Sequence, residues 1–476
     1  MIAQLGFVRI AEIVFSAGVF AALGANLVQA QSPGNLQPDR YSVNNRPPDA
    51  RFKADILLVV AHPDDETLVS SYLAREIFDQ HKRVAVVYGT HGDGSNNQVG
   101  PEQAIAIGQI REIEGRQAES SLGVTNVWFL TGRDTASQNV LNSLEYWGHG
   151  SCLDQLVRIV RLTRPTVILT FLPDFTTGEN HDDHQAAGVL ATEAFDMAGD
   201  PTVFSGQTSP ASTDKAMSLT EGLRPWQPEK IYYFYNPTHD IFAGQGPQYS
   251  SKDISPSRHV SYEMLAAQAY AYHRTQGSDV VQRAIDNHTL DSSPSPEAQM
   301  VTDTVRLICG KSLVPSGVTD DVFAGVVPGG IPFQRAPGFV AVQHPGPTLE
   351  IGDPWSYYHQ FWQAHGLDHL ASIVPLEVTV KVGGDALVIP LVIDNPLDST
   401  INVTLSVQAP NGWEVRPVPP VAVEAHTRYY LRVQAAAPAT KLPGWQQFTV
   451  SAQSGNESIG TVPVRVELST GWVLPQ

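Results

Sequence analysis

Apolar and polar positions alternate along this chain in two successive regimes. In the first, Ile56 to Ala61 is a continuous apolar run, as in a strand buried on both faces. Leu68, Val69, Tyr72, Leu73 and Ile77 then recur at helical spacing. The pattern repeats. Val84 to Tyr88, Val127 to Leu130, Thr166 to Phe171 and Ile231 to Tyr235 read as strands. Ile107, Ile110, Ile113 and Ala118 mark a helix closed by Gly123, Leu153, Leu156, Val157 and Val160 another, and a third starts near His184. Strands alternating with amphipathic helices predict a doubly wound, mostly parallel α/β sheet. Further helices are predicted from about Ser261 to Thr275 and near Trp355 to Ala364, whose aromatic residues have core spacing. Residues 291–350, rich in Pro, Gly and Val, take no clear assignment and read as an insertion.

The second regime begins near residue 371. Leu376 to Val382, Ala386 to Ile393, Ile401 to Val407, Thr427 to Val433, Gln447 to Ala452 and Val462 to Leu468 are short runs rich in β-branched residues. Turn residues such as Gly383-Gly384 and Asn411-Gly412 separate them. This predicts an all-β, Ig-like sandwich over 371–476, after an α/β domain over 51–370.

Composition narrows the classes. The 476 residues carry 48 acidic and 30 basic side chains, a net charge of −18. That balance excludes a nucleic-acid binder with a basic stripe. Arg9 precedes an apolar run from Ile13 to Val28, and Val28-Gln29-Ala30 offers small-residue cleavage chemistry. Residues 1–30 are therefore expected to be a signal for export to the periplasm or medium, with an uncleaved membrane anchor as the alternative. Residues 31–50, with scattered Pro and Asn, read as a linker. Cys152 and Cys309 are the only two cysteines and make no disulfide framework.

The candidate chemistry lies in two short clusters. Ala61-His62-Pro63-Asp64-Asp65-Glu66 follows the first strand directly, and His181-Asp182-Asp183-His184 follows the fourth. In an open parallel sheet, ligands bind outside the carboxyl ends of the strands, so the two clusters should share one rim. A catalytic zinc takes three protein ligands and keeps a position for water. Any three of His62, Asp65, His181 and His184 satisfy that and leave Asp64 free for proton transfer.

AHPDDE after the first strand, with an HxDH sequence (His181 to His184) after the fourth, resembles the PIG-L/LmbE-like family of zinc-dependent N-acetylglucosaminyl deacetylases. Thr90-His91-Gly92-Asp93-Gly94, Arg111 with Glu114, Asp134, and Ala269 to Gln276 (AYAYHRTQ) agree with the family pattern. Glu179 stands where some family members have a tyrosine. The resemblance spans about residues 54–280 and implies a Rossmann-like sheet. It also implies that His62, Asp65 and His184 hold the metal, zinc or Fe(II). Asp64 would then be the general base, and a protonated His181, oriented by Asp183, would stabilise the transition state. Arg111, Asp134 and His273 would contact the sugar. The expected substrate is an N-acetylglucosamine-type amino sugar or glycoconjugate. The C-terminal sandwich, similar to NEW3-type domains through Ala409 to Trp413, would contact a cell surface or glycan. A zinc amidase for another N-acyl substrate and a non-catalytic glycan-binding protein are the alternatives.

Overall fold

Ile56–Val60 (β1) and Val84–Tyr88 (β2) are buried at every position, and Asn126–Phe129 (β3) is half covered. Val167–Phe171 (β4) and Lys230–Phe234 (β5) are again buried throughout. Parallel pairing gives the order β3-β2-β1-β4-β5. Gln248–Tyr249 (β6) and Val305–Ser312 (β7) add an antiparallel margin, β7 against β5 and β6 against β7. Successive residues of one strand feed two cores. Ile56, Leu58 and Val60 pack on one face, and Leu57 and Val59 on the other. The continuous apolar runs are thus explained by a sheet covered on both sides.

This is a computed structural model, and it describes residues 48–470 except 136, 138, 175–180, 211–219, 236–241, 341–343, 353–354, 385 and 440–442. The signal segment, nearly all of the linker and Glu179 lie outside the described residues. Residues 48–205 and 223–476 form one unit, which carries everything below. Among the described residues no helix is long and apolar enough to cross a membrane.

The helices that cover the sheet are Ser70–Phe78 (α1), Ile105–Leu122 (α2), Val140–Trp147 (α3), His149–Thr163 (α4), Asp182–Met197 (α5) and Tyr262–Tyr270 (α6). Gly123, at φ 94°, ends α2 as its sequence position predicts. α5 lies directly on β4, and a Cβ at Gly188 would collide with the Phe171 carbonyl. α6 stops at Tyr270, short of the predicted Thr275; beyond it Tyr272 N and His273 N bond three residues back as tight turns, and Thr275 N donates to Glu114 Oε1 (3.0 Å). Asp279–Asp286 (α7) and Pro296–Thr302 (α8) follow. The unassigned 291–350 stretch therefore supplies α8, the sheet strand β7 and one further strand.

That strand, Thr348–Ile351 (β8), belongs to the C-terminal layers. Their strands include Glu377–Lys381 (β9), Leu387–Asn395 (β10), Ile401–Gln408 (β11), Glu414–Val415 (β12) and Val421–Val423 (β13). Thr427–Ala436 (β14), Gly444–Ser454 (β15) and Glu457–Ser469 (β16) complete them. They form a four-stranded sheet, β12-β14-β10-β8, and a five-stranded sheet, β13-β11-β15-β16-β9. Alternate residues such as Ile389, Leu391 and Ile393 on one sheet and Val464, Val466 and Leu468 on the other share a buried core. Between β8 and β9 the chain makes Trp355–His365 (α9), whose Trp355, Tyr358, Phe361 and Trp362 are buried, as their spacing predicts. α9 grips α5. Tyr358 Oη donates to Gln185 Oε1 (2.5 Å), Trp362 Nε1 donates to Pro173 O (3.2 Å), and His365 Nδ1 lies 2.6 Å from Asp196 Oδ2.

Glu76 on α1 is only 2% exposed. Burial, with Asp321 adding like charge, pushes its carboxyl from 4.5 up to about 7. The folded state thus holds this proton over a range where the unfolded chain releases it. Stability is then lost as pH rises from about 4.5 through 7, by about 3 kcal/mol in total. Glu76→Gln is expected to raise the melting temperature at pH 8 and to leave it nearly unchanged at pH 4.5. Thermal unfolding at both values checks this.

Candidate active site

The strand order reverses between β1 and β4, and in open α/β sheets the carboxyl ends at such a switch point are where ligands bind. Both polar clusters lie there. The His62 and His184 ring centroids are 5.2 Å apart, His62 and His181 5.1 Å, and His181 and His184 4.1 Å. Asp65 joins them. Its Oδ2 accepts from the backbone N of Ala61 (3.0 Å) and of His62 (2.7 Å), which closes the turn after β1. Oδ1 lies 3.1 Å from His184 Nε2, and Oδ2 lies 3.5 Å from His62 Nδ1. Burial alone would raise the Asp65 pKa, but His184 and His62 outweigh it and hold the carboxyl well below the usual range. Asp65 is therefore an anion wedged between two imidazoles. His184 stacks on Phe171 at the end of β4, with centroids 4.1 Å apart and planes at 5°.

His62, His181 and His184 each offer a nitrogen within 4.8 Å of the others, as a metal site requires. His62, Asp134 and Asp183 form a second such group, and His181, Asp182 and Asp183 a third. Imidazole and carboxylate are the donors that zinc and non-haem Fe(II) accept, so the residues present fit a divalent metal.

Asp64 sits beside this cluster under constraint. Its backbone is at φ 131°, ψ −19°, a region that side-chain-bearing residues rarely occupy. Three contacts hold it there. Arg111 Nη2 donates to Asp64 Oδ1 (2.7 Å) and to the Pro63 carbonyl (2.6 Å). Asp64 N donates to Glu66 Oε2 (2.9 Å). Arg111 is fixed in turn by Gly92 O (3.1 Å) and Ser95 Oγ (2.7 Å) on the loop after β2. Burial, which the Arg111 charge only partly offsets, pushes the Asp64 carboxyl up to about 6.

Several residue roles differ from the sequence reading. Arg111 is 3% exposed and its guanidinium braces Asp64. His273 is 0% exposed, with its Nε2 2.5 Å from Glu66 Oε1, so it presents no surface to a substrate. Asp134 Oδ2 accepts from Gly94 N (2.8 Å), and its Oδ1 lies 3.7 Å from His62 Nε2, beside the imidazole cluster. Asp183 was expected to orient His181. Its Oδ2 lies 3.4 Å from His62 Nε2, while Asp182 Oδ1 lies 3.6 Å from His181 Nδ1, so Asp183 is bonded to His62 and Asp182 pairs with His181. The reason is helical. His181 caps α5, and its Nδ1 accepts from Asp183 N (3.4 Å), while the Asp183 side chain turns toward β1. Burial and the neighbouring His184 lower the His181 pKa.

Sequence reasoning missed the residues that hold Asp183. Thr135 N donates to its Oδ2 (2.7 Å), and Ser143 Oγ (2.6 Å) and Trp147 Nε1 (3.1 Å) donate to its Oδ1. Nor is a helix predicted over Val140–Trp147, and although Val140, Ser143, Leu144 and Trp147 follow helical spacing, nothing in that pattern marks its polar positions as partners of Asp183.

Residues 57–195 match the family model described as GlcNAc-PI de-N-acetylase, PIG-L. This stretch is a PIG-L-family domain. It contains both polar clusters and the residues that brace Asp64 and Asp183, namely Arg111, Glu66, Thr135, Ser143 and Trp147. The chain is 28% identical over 198 residues to a 1D-myo-inositol 2-acetamido-2-deoxy-alpha-D-glucopyranoside deacetylase of Thermobifida fusca, covering 38% of this chain and 62% of that one. It is 32% identical over 169 residues to the enzyme of that name from Streptomyces scabiei, covering 32% and 52%. A third, from Geodermatophilus obscurus, is 26% identical over 308 residues, covering 57% and 97%. The chain thus spans about half to three-fifths of the first two relatives. Among solved structures, an N,N'-diacetylchitobiose deacetylase from Pyrococcus horikoshii is 20% identical, with a TM-score of 0.37, covering 54% of this chain and 84% of that one. The PIG-L domain ends near the C-terminus of α5, so α6, α9 and the sandwich lie beyond the family match.

Proposed function

We propose that this chain is a zinc-dependent hydrolase that removes the N-acetyl group from an N-acetylglucosamine-type amino sugar or glycoconjugate. One observation carries the reading. Asp65 is held between His62 and His184 at the switch point, with Asp64 fixed beside it. The names of the relatives support the substrate class, since each printed name is that of an amino-sugar deacetylase.

His62, Asp65 and His184 would hold the metal. When bound, zinc supplies a Lewis acid and lowers the pKa of water toward about 7. Asp64 does the proton work. Arg111 occupies its Oδ1, so Oδ2 is the atom that takes a proton as water attacks the acetamide carbonyl. Asp64 then returns that proton to the departing nitrogen as the C–N bond breaks, releasing acetate and a free amine. His181 has its Nδ1 engaged as an acceptor, so a neutral ring carries its hydrogen on Nε2 and donates that to the oxyanion. Asp183 fixes the orientation of His62.

The apolar run from Ile13 to Val28 supports action outside the cytoplasm, where cell-wall or extracellular saccharides would be the substrates. The sandwich would then hold the enzyme near a glycan or cell surface. The deciding experiment is acetate release by the zinc-loaded protein from GlcNAc oligomers and glycoconjugates. No acetate from any of them would overturn the proposal.

A further inference from the structure

The late AYAYHRTQ segment lies well beyond both polar clusters in sequence, yet it folds back beneath Asp64. His273 stands just after α6 and is 0% exposed. Its Nε2 lies 2.5 Å from Glu66 Oε1, and Glu66, itself 2% exposed, uses its other oxygen to accept from Asp64 N (2.9 Å). The turn carrying His273 is pinned separately. Glu114 accepts from Thr275 N (3.0 Å) and from Thr275 Oγ1 (2.6 Å). A continuous line of buried polar contacts therefore runs from α2 through the 273–276 turn to the peptide nitrogen of Asp64. That nitrogen belongs to the residue at φ 131°.

We infer that Glu66 and His273 form a positioning dyad that holds the Asp64 backbone in its strained conformation and so sets the aim of its carboxylate. This rests on the deacetylase reading for its kinetic consequence, though not for its structural one. Glu66 has two jobs that no uncharged, shorter side chain performs together: one oxygen anchors the Asp64 amide, and the other is locked by His273. Arg111 fixes the Asp64 side chain from the opposite direction, at Oδ1. With the backbone and one oxygen both held, only Oδ2 is left to face the reacting water. If the dyad were lost, the backbone would relax toward an unstrained conformation and carry Oδ2 off its line, while Asp65 would keep its own bonds to Ala61 N and His62 N. The dyad should therefore act on turnover and not on substrate or metal binding. In the site their side-chain bonds run to Asp64 N and to each other, and not to His62, His181 or His184.

The test uses full-length Glu66→Gln, Glu66→Ala and His273→Ala, with N,N'-diacetylchitobiose as the probe and metal content measured on each. A second measurement is the NMR amide signal of Asp64 in protein labelled with 15N-aspartate. Expected are kcat losses of about 10- to 100-fold for Glu66→Ala and His273→Ala, with KM and metal per chain at wild-type values. Glu66→Gln keeps an acceptor for the Asp64 amide and should retain turnover within about 3-fold. The Asp64 amide should exchange slowly in the wild type and in Glu66→Gln, and quickly in both alanine variants. Wild-type turnover in the alanine variants, loss of metal in step with activity, or an Asp64 amide that does not respond would each overturn the dyad. If the wild type released no acetate while the amide responded as expected, the dyad would stand and the deacetylase reading would fall.

Discussion

Replacing Asp64 with Asn lowers kcat by about 10³-fold while metal content and KM stay at wild-type values. The expectation follows from what the substitution keeps. The asparagine side chain still offers an oxygen to Arg111 Nη2 at the Oδ1 position, and its backbone N still donates to Glu66 Oε2. The strained turn and its brace should therefore survive. An amide cannot accept a proton from water at the second position, so the base is lost without loss of shape. Asp64 is the right group for that role because its partly offset burial brings it to about 6, close to where a base works best near neutral pH. Acetate release and metal analysis on the same preparation decide the matter. Undiminished turnover in Asp64→Asn would remove Asp64 from the chemistry and point to another carboxylate beside His62, Asp134 or Asp183.

The second large effect comes from the metal. Chelation should abolish acetate release and lower the melting temperature, and stoichiometric zinc should restore both. A ligand present at 1,000 times its Kd stabilises the folded state by about 4 kcal/mol, which sets the scale of the shift. Asp65→Asn should behave like chelated wild type even with zinc added. Its amide oxygen can still accept from Ala61 N and His62 N, so the turn after β1 closes, but it brings no negative charge between His62 and His184. Metal affinity should fall by more than about 10²-fold, since loss of a mere supporting partner typically costs 10–100-fold. Equilibrium dialysis against zinc gives the number. If Asp65→Asn binds zinc as tightly as wild type, the second group of donors, His62 with Asp134 and Asp183, becomes the better site.

The α/β layer was legible because its strands are covered on both faces and so write themselves as unbroken apolar runs. The Ile56 and Val84 starts coincide with the structure, the other three parallel strands differ by about one residue, and the antiparallel β6 and β7 were not predicted. The meeting of the two polar clusters was legible too, since each follows a strand and the sheet sends all its carboxyl ends to one rim. What sequence could not supply was direction. Asp182 and Asp183 are adjacent, and about 100° of helical rotation decides that one lies near His181 and the other reaches His62. Arg111 and His273 carry polar side chains that a motif marks as functional. Only the packing shows that both point inward, one at Asp64 and the other at Glu66. β8 was missed because four residues between Pro-rich stretches leave too short a pattern to read.

That short strand has a consequence for how the chain can be divided. The path enters the C-terminal sheets at β8, leaves them to lay α9 against α5, and returns at β9, so the two layers are stitched through each other. A protein ending at residue 370 would keep β8 without its neighbour β10, and an isolated sandwich beginning at 371 would bare the β10 edge along Leu391 to Asp394. Unprotected edges of that kind recruit other chains. Swapping this sandwich onto another enzyme, or trimming it away, should therefore give sticky, self-associating products unless the cut is made ahead of Thr348.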